Sequence, residues 1–351
     1  MEHVYYQFPV YAGEIIDRVR AMDWFIHSFA IDDGDDIYNP AAYLYNAEYF
    51  GRSYTVYLDL NIYQYAINAF KKKKIKELHR NAIALIVFGK FTNILFDPTL
   101  AIYEKVNYSS KCPDEITSDL ELFRKIDNAE MDRLAMFALG KENDIVLPDS
   151  RFVDHDKLKI ELTKYRRLKK WDSLYLYVLK ITTIYQAHTL SQEGQLLEFI
   201  DWCHKEFGYS LVALSFLMAL VGKQPTPKLM KYNASENSIK KKKSLWNMTW
   251  DLFILDKFFE YWVKKPSANE FIYASNDGPL KRVLELAISI QVNESCNNLA
   301  GFIPGAVIEQ INMIQGIIDE QNDHGRKLFC APDFQKYRSC LITQYEEILL
   351  T

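Results

Sequence analysis

Asp59 closes YTVYL (54–58), a run of β-branched and aromatic residues that reads as a short buried strand, and Asn61 follows two positions on, where a helix begins. An acid at the carboxyl end of a strand lies in the crevice where open α/β sheets bind ligands, which makes Asp59 a candidate metal ligand. The other reading is a helix cap, a common task for Asp. Three more acids occupy comparable places: Glu104 on the helix after a second strand, Asp251 on the helix before a third, and Asp277 directly after that third strand. Each has a plain alternative. Glu104 suits an exposed helical position, Asp251 suits half of a surface ion pair with Asp256 as its rival, and Asp277 suits the turn Asn-Asp-Gly-Pro. Gathered above a sheet, such carboxylates repel one another unless cations neutralise them, and hard oxygen ligands suit Mg²⁺ or Mn²⁺. Those ions activate water and stabilise a leaving oxygen in phosphodiester hydrolysis.

The elements that must hold these residues alternate between strand and helix in two stretches, one before residue 112 and one after residue 243. After the first strand, Ile62, Ala66, Ile67 and Phe70 repeat at helical spacing up to the run Lys71 to Lys74, and a second helix is expected over 75–88. Asn93 to Phe96 reads as a strand. Asp97-Pro98 then starts a helix over 99–106, because Asp caps and Pro fits the first turn. From 112 to 243 the pattern is almost wholly helical, with helices expected over 120–139, 156–165, 171–190, 195–207 and 210–221 and a strand hinted at over 144–147. Residues 222–243 read as a polar connection. A helix over 245–263, a strand over 271–275 and a helix over 279–292 restore the α/β pattern, and helices over 306–318 and 334–349 end the chain. The first fifty residues, helical around 15–29 and broken by the acidic turn 32–36, read as an accessory segment.

On VYLDLNIY (56–63), ILFDPTLAIYEKV (94–106), TWDLFILDKF (249–258) and IYASNDGPLKRV (272–283), taken in order with their strand and helix contexts, the chain resembles the PIN-like nucleases, a superfamily that includes many toxin ribonucleases and is related in fold to the flap nucleases. The resemblance implies an α/β fold: a PIN-like parallel-sheet core split into 51–110 and 245–300, a large helical insertion at 111–244 and a helical C-terminal segment, 301–351, behind the accessory segment 1–50. It implies that Asp59, Glu104, Asp251 and Asp277 bind one or two divalent metals, Mg²⁺ or Mn²⁺, for hydrolysis of RNA or single-stranded nucleic acid, with Asn61 and Asn276 in support. The chain departs from compact relatives in its insertion, which reads as a lid, a regulatory domain or a surface for a regulatory protein partner or a second copy. The expected activity is that of an endoribonuclease, a regulated effector of the toxin or antiviral defence kind. The alternative is a PIN-like or helical module that binds protein or nucleic acid without catalysis.

Composition sets the bounds. With 351 residues, 49% of them apolar, the chain holds two domains or one core with an insertion, and a formal net charge of −4 gives no global attraction to nucleic acid. Polyanion binding must come from local clusters: Lys71 to Lys74, and Lys240 to Lys243 flanked by Tyr232, Trp246 and Trp250, where either phosphate guidance with base stacking or a solvated linker with core tryptophans is available. Cys112, Cys203, Cys296, Cys330 and Cys340 are scattered without a CxxC pair, which fits a reducing cytoplasm better than a disulfide or zinc framework. The longest apolar run, 211–221, is too short for a bilayer, and no signal peptide is evident, so a soluble cytoplasmic protein without membrane contact is expected. Arg20 and His27 echo the Arg–His spacing of HEPN ribonucleases, a coincidence expected often by chance. No phosphate-binding glycine motif points to a nucleotide-driven motor or a dehydrogenase.

Overall fold

The computed structural model describes residues 5–27, 36–108, 113–166, 168–187, 189–292, 304–305, 307–309 and 332–351. Its elements are α1 (Ala12–Met22), β1 (Phe25–Ile26), α2 (Pro40–Phe50), β2 (Ser53–Leu58), α3 (Leu60–Lys71), α4 (Glu77–Thr92), β3 (Leu95–Asp97), α5 (Thr99–Tyr108), α6 (Pro113–Asp127), α7 (Met131–Ala138), α8 (His155–Tyr165), α9 (Trp171–Gln186), α10 (Gln192–Trp202), α11 (Leu211–Val221), α12 (Ser238–Val263), β4 (Asn269–Ala274), α13 (Gly278–Val292) and α14 (Pro332–Leu350). Helix dominates an α/β fold whose four-stranded sheet has the order β1-β4-β2-β3. Two compact units divide the chain, 1–167 with 260–276 and 168–259 with 277–351. The first fifty residues, expected as an accessory segment, thus fall in the first unit, and the boundaries at 110, 244 and 300 are not where the units part.

In the first unit β2 runs parallel to both neighbours, with Val56 opposite Phe96 and Ile272. The chain leaves β2 for β3 on one side and returns to β4 on the other, so β2 and β4 flank a topological switch point. The sheet is mixed rather than purely parallel, because β1 adds an antiparallel edge, Phe25 opposite Ala274. That strand cuts short the helix expected over 15–29: Asp23 takes a left-handed conformation (φ 49°) that ends α1. Side-chain alternation gives the sheet two unlike faces. Val56, Leu58, Phe96, Ile272 and Ala274 join the apolar core, whereas Thr55, Tyr57, Asp97, Phe271 and Tyr273 have the opposite parity.

Helix α4 is the spine of that core. Its residues 82–88, AIALIVF, are all buried, and a helix apolar all round must be surrounded. It packs against α1, α2, α3, α7 and β3. Gly89 lets it lie on β3, since a Cβ there would overlap the Phe96 ring. The second unit repeats the device in α11, buried from Val212 to Val221 and packed by α9, α10 and α13. The longest apolar run is therefore an internal helix; among the described residues no helix is long and apolar enough to cross a membrane.

Other expectations shift for local reasons. The helix expected over 120–139 is two, α6 and α7; the Lys90 ammonium binds the Asp127 carbonyl, one of the C=O groups that a continuing helix would have used. Residues 144–147 form no strand; Ile145 and Leu147 instead pack as coil against the core. The polar connection ends early, because Asn237 accepts the Lys240 amide and starts α12 at Ser238. The helix expected over 306–318 lies almost wholly outside the described residues.

Candidate active site

Three parallel strands end on one edge of the first unit, and the edge is built around Asp59. Strand β2 delivers it one residue past Leu58, its amide donating to the Ala274 carbonyl (2.9 Å), so the ladder to β4 extends to its backbone. The carboxylate is only 7% exposed. Although Asp59 occupies the N-cap position of α3, its side chain makes no capping bond. Oδ2 instead accepts the Ser275 hydroxyl at 2.8 Å. Ser275, 2% exposed, is fixed in turn by its amide on the Trp24 carbonyl (3.0 Å). The bond spans β2 and β4 at the switch point, where α/β sheets place ligands. A buried carboxylate is costly unless hydrogen-bonded or paired, so its retention there calls for a counter-charge or a hydroxyl such as this one.

Asp97, at the end of β3, stands opposite Tyr57 and does what the Asp-Pro pair predicts: Oδ1 accepts the Thr99 amide at 2.7 Å and starts α5. Its field reaches three phenols. Burial first and Asp97 second push the Tyr57 hydroxyl up to about 12; burial likewise raises Tyr165 and Tyr261, with Asp97 a lesser contributor. Tyr57 packs against Tyr261 (5.5 Å between centroids) and Phe271 (5.3 Å). All three phenols therefore stay protonated and neutral at ordinary pH.

Glu104 is half-buried on α5. The next residue, Lys105, points about 100° away and is 2% exposed, paired with Asp119, which also binds Lys71. Its ammonium lies 5.3 Å from the Tyr63 ring centre. This buried cluster anchors α5 and so fixes the rotation that presents Glu104. It also takes the first lysine of the 71–74 run for structure. Asn61 is exposed in the first turn of α3, and Asn276, exposed beyond β4, donates to the Tyr65 hydroxyl at 3.3 Å.

The remaining expected residues belong to the second unit, each engaged there. Asp251, on α12, pairs with Lys231 at 2.5 Å, and its rival Asp256 pairs with Lys170 at 3.3 Å. Asp277 is the N-cap of α13, its Oδ1 accepting the Leu280 amide (3.4 Å) and its carbonyl the Lys281 amide (3.0 Å). Lys240 to Lys243 form the first turns of α12 rather than a linker. Consecutive helical residues point about 100° apart: Lys240 pairs with Glu236, Lys241 is buried, Lys242 pairs with Glu346 and Lys243 is exposed. Of the Arg–His pair, Arg20 lies on α1 bound to Asp17 and Asp36, and His27 follows β1 off any helix.

Among the described residues no group of three or more His, Cys, Asp or Glu side chains gathers closely enough to hold a metal. The edge around Asp59 nevertheless offers hard oxygen donors, the carboxylate itself beside the Ser275 hydroxyl. Mg²⁺ commonly binds through one or two carboxylates, keeping waters and taking substrate phosphates for the rest, so the donor chemistry fits such an ion. Reasoning from sequence missed Ser275, which a search for acids passes over; its signal was a hydroxyl residue at the end of the strand that neighbours β2. Tyr65, one turn beyond Asn61, was legible only as a helix residue. No family model, curated protein or solved structure matches the chain.

Proposed function

We propose that the Asp59 edge is the centre of a divalent-metal-dependent phosphodiesterase, an endoribonuclease acting on RNA or another single-stranded nucleic acid, on a PIN-like core. One observation carries the reading: a buried carboxylate at the switch point leaves the cap it is placed to make and is held by a buried serine instead. Asp59 would hold the ion, Mg²⁺ or Mn²⁺, with Glu104, on α5 of the same unit, as the second carboxylate of the motif. When bound, the ion supplies an activated water and neutralises the charge that develops on the phosphate. Ser275 holds the rotation of the carboxylate through Oδ2, and the neutral phenols near Asp97 add no negative charge to repel the phosphate.

A second reading, a protein-binding or nucleic-acid-binding module without catalysis, draws on the engagement of Asp251 by Lys231 and of Asp277 as a cap, because acids so occupied are satisfied without metal. Labelled RNA and single-stranded DNA, incubated with Mn²⁺ and with chelator, separate the two. The nuclease reading expects cleavage that chelator abolishes and that Asp59→Asn removes; no metal-dependent cleavage, or full cleavage by the variant, leaves the second.

A further inference from the structure

We infer that two pieces of the second unit, KKW (169–171) and KKSLW (242–246), form a binding face for single-stranded nucleic acid; this rests on the substrate class proposed above, not on the Asp59 chemistry. The pieces are some seventy residues apart in sequence, yet Trp171 and Trp246 are in ring contact, centroids 5.3 Å apart and planes inclined 47°. Trp246 is 44% exposed, whereas Trp250 is 2% exposed and backs Trp171 at 4.6 Å, with Phe253 at 5.9 Å. A rigid, buried aromatic layer thus supports an open indole, which leaves little side-chain freedom to lose on binding.

Two lysines of α12 share that face. At 100° per residue, Lys242 and Lys243 lie within about 60° of Trp246 around α12, while Lys241 lies about 140° away and is the one that is buried. Lys170 adopts a left-handed conformation (φ 68°), rare for an L residue, and leads the chain directly into Trp171. Lys170 and Lys242 have internal carboxylates, Asp256 and Glu346, but their side chains remain 52% and 54% exposed. Lys169 and Lys243 are exposed as well. Lysine is depleted at protein interfaces, whereas lysines around an open aromatic ring are the composition of single-strand grooves, where bases stack and ammonium groups follow the backbone. The occupant is therefore an unpaired strand, its base on Trp246 and its phosphates along the lysines.

The test uses the full chain carrying Asp59→Asn, with chelator present, and a short labelled oligouridylate read by anisotropy and by tryptophan quenching. The expected result is salt-sensitive binding that a duplex of equal length does not match. Trp246→Leu should weaken it about tenfold, the loss of one base stack, and Trp246→Phe much less. Lys243→Gln, at an exposed position that folding tolerates, should weaken it about two- to threefold and lower the slope of log affinity against log salt by roughly 0.7. Affinity unchanged by both Trp246→Leu and Lys243→Gln overturns the inference, even if the native chain cleaves RNA. Binding that depends on Trp246 and Lys243 in a native chain that never cleaves upholds it and sinks the nuclease reading instead. Self-association lost in Trp246→Leu, without oligonucleotide binding, assigns the face to protein and overturns it too.

Discussion

At three places a strand hands over to a helix through an aspartate, and the three carboxylates are used differently. After β3, Asp97 takes the Thr99 amide at 2.7 Å; after β4, Asp277 reaches the Leu280 amide at 3.4 Å. Both act as caps, satisfying helix N–H groups that have no partner within the helix. Asp59, after β2, occupies the same N-cap position and makes no such bond. Its neighbour across the switch point, Ser275, takes the carboxylate instead, and burial removes the solvent that would otherwise stabilise it. Identical side chains in the same local setting thus separate into structure and chemistry according to what the adjacent strand supplies.

The sharpest way to break that contrast is to remove each charge in turn. Asp59→Asn keeps the shape and should lower metal-dependent RNA cleavage by at least about a hundredfold, with thermal stability kept or raised, since groups retained for chemistry commonly cost stability. Asp97→Asn assayed alongside should lose far less; equal losses would erase the distinction. Ser275→Ala comes next. Taking a hydrogen bond from a buried carboxylate costs about 1.5–3 kcal/mol, read by urea unfolding, and the freed rotamer should lower cleavage by about tenfold. A variant as stable as the native chain would show that Ser275 does not hold Asp59. Asp97→Ala removes a cap and should cost about 1 kcal/mol.

The smallest effect concerns a helix start held by a titratable ring. His79, buried in the first turn of α4, accepts the Lys76 amide on Nδ1 at 3.2 Å, a bond that needs the neutral ring. Burial first, then Lys76 and Lys72, lower its pKa from the ordinary 6.5. The unfolded chain therefore takes up this proton before the folded one does. The stability contributed is complete above about pH 6.5 and is lost as pH falls through the lower, folded value. Unfolding free energies between pH 7 and pH 5 should show this slope in the native chain and a flatter one in His79→Gln.

Much of the local structure was written in short-range patterns. The strand at 54–58, the helices around it and the Asp-Pro start of α5 depend on alternation, helical spacing and capping, which act over a few residues. β1 was not legible, because a two-residue strand exists only through its pairing with β4. Nor was the fate of the lysine runs: Lys71 was claimed by a buried Asp119 and Lys241 by the packing of α12.

Local sequence set which side chains are available, an acid at the end of three of the four strands or just beyond it and lysines ahead of tryptophans, and the helical or extended state of most segments that carry them. Which acid leaves its cap and which tryptophans meet follow from long-range packing. Both depend on a partner far away in the chain, Ser275 for Asp59 and Trp171 for Trp246, and no local pattern contains a neighbour that folding brings from two hundred or seventy residues away.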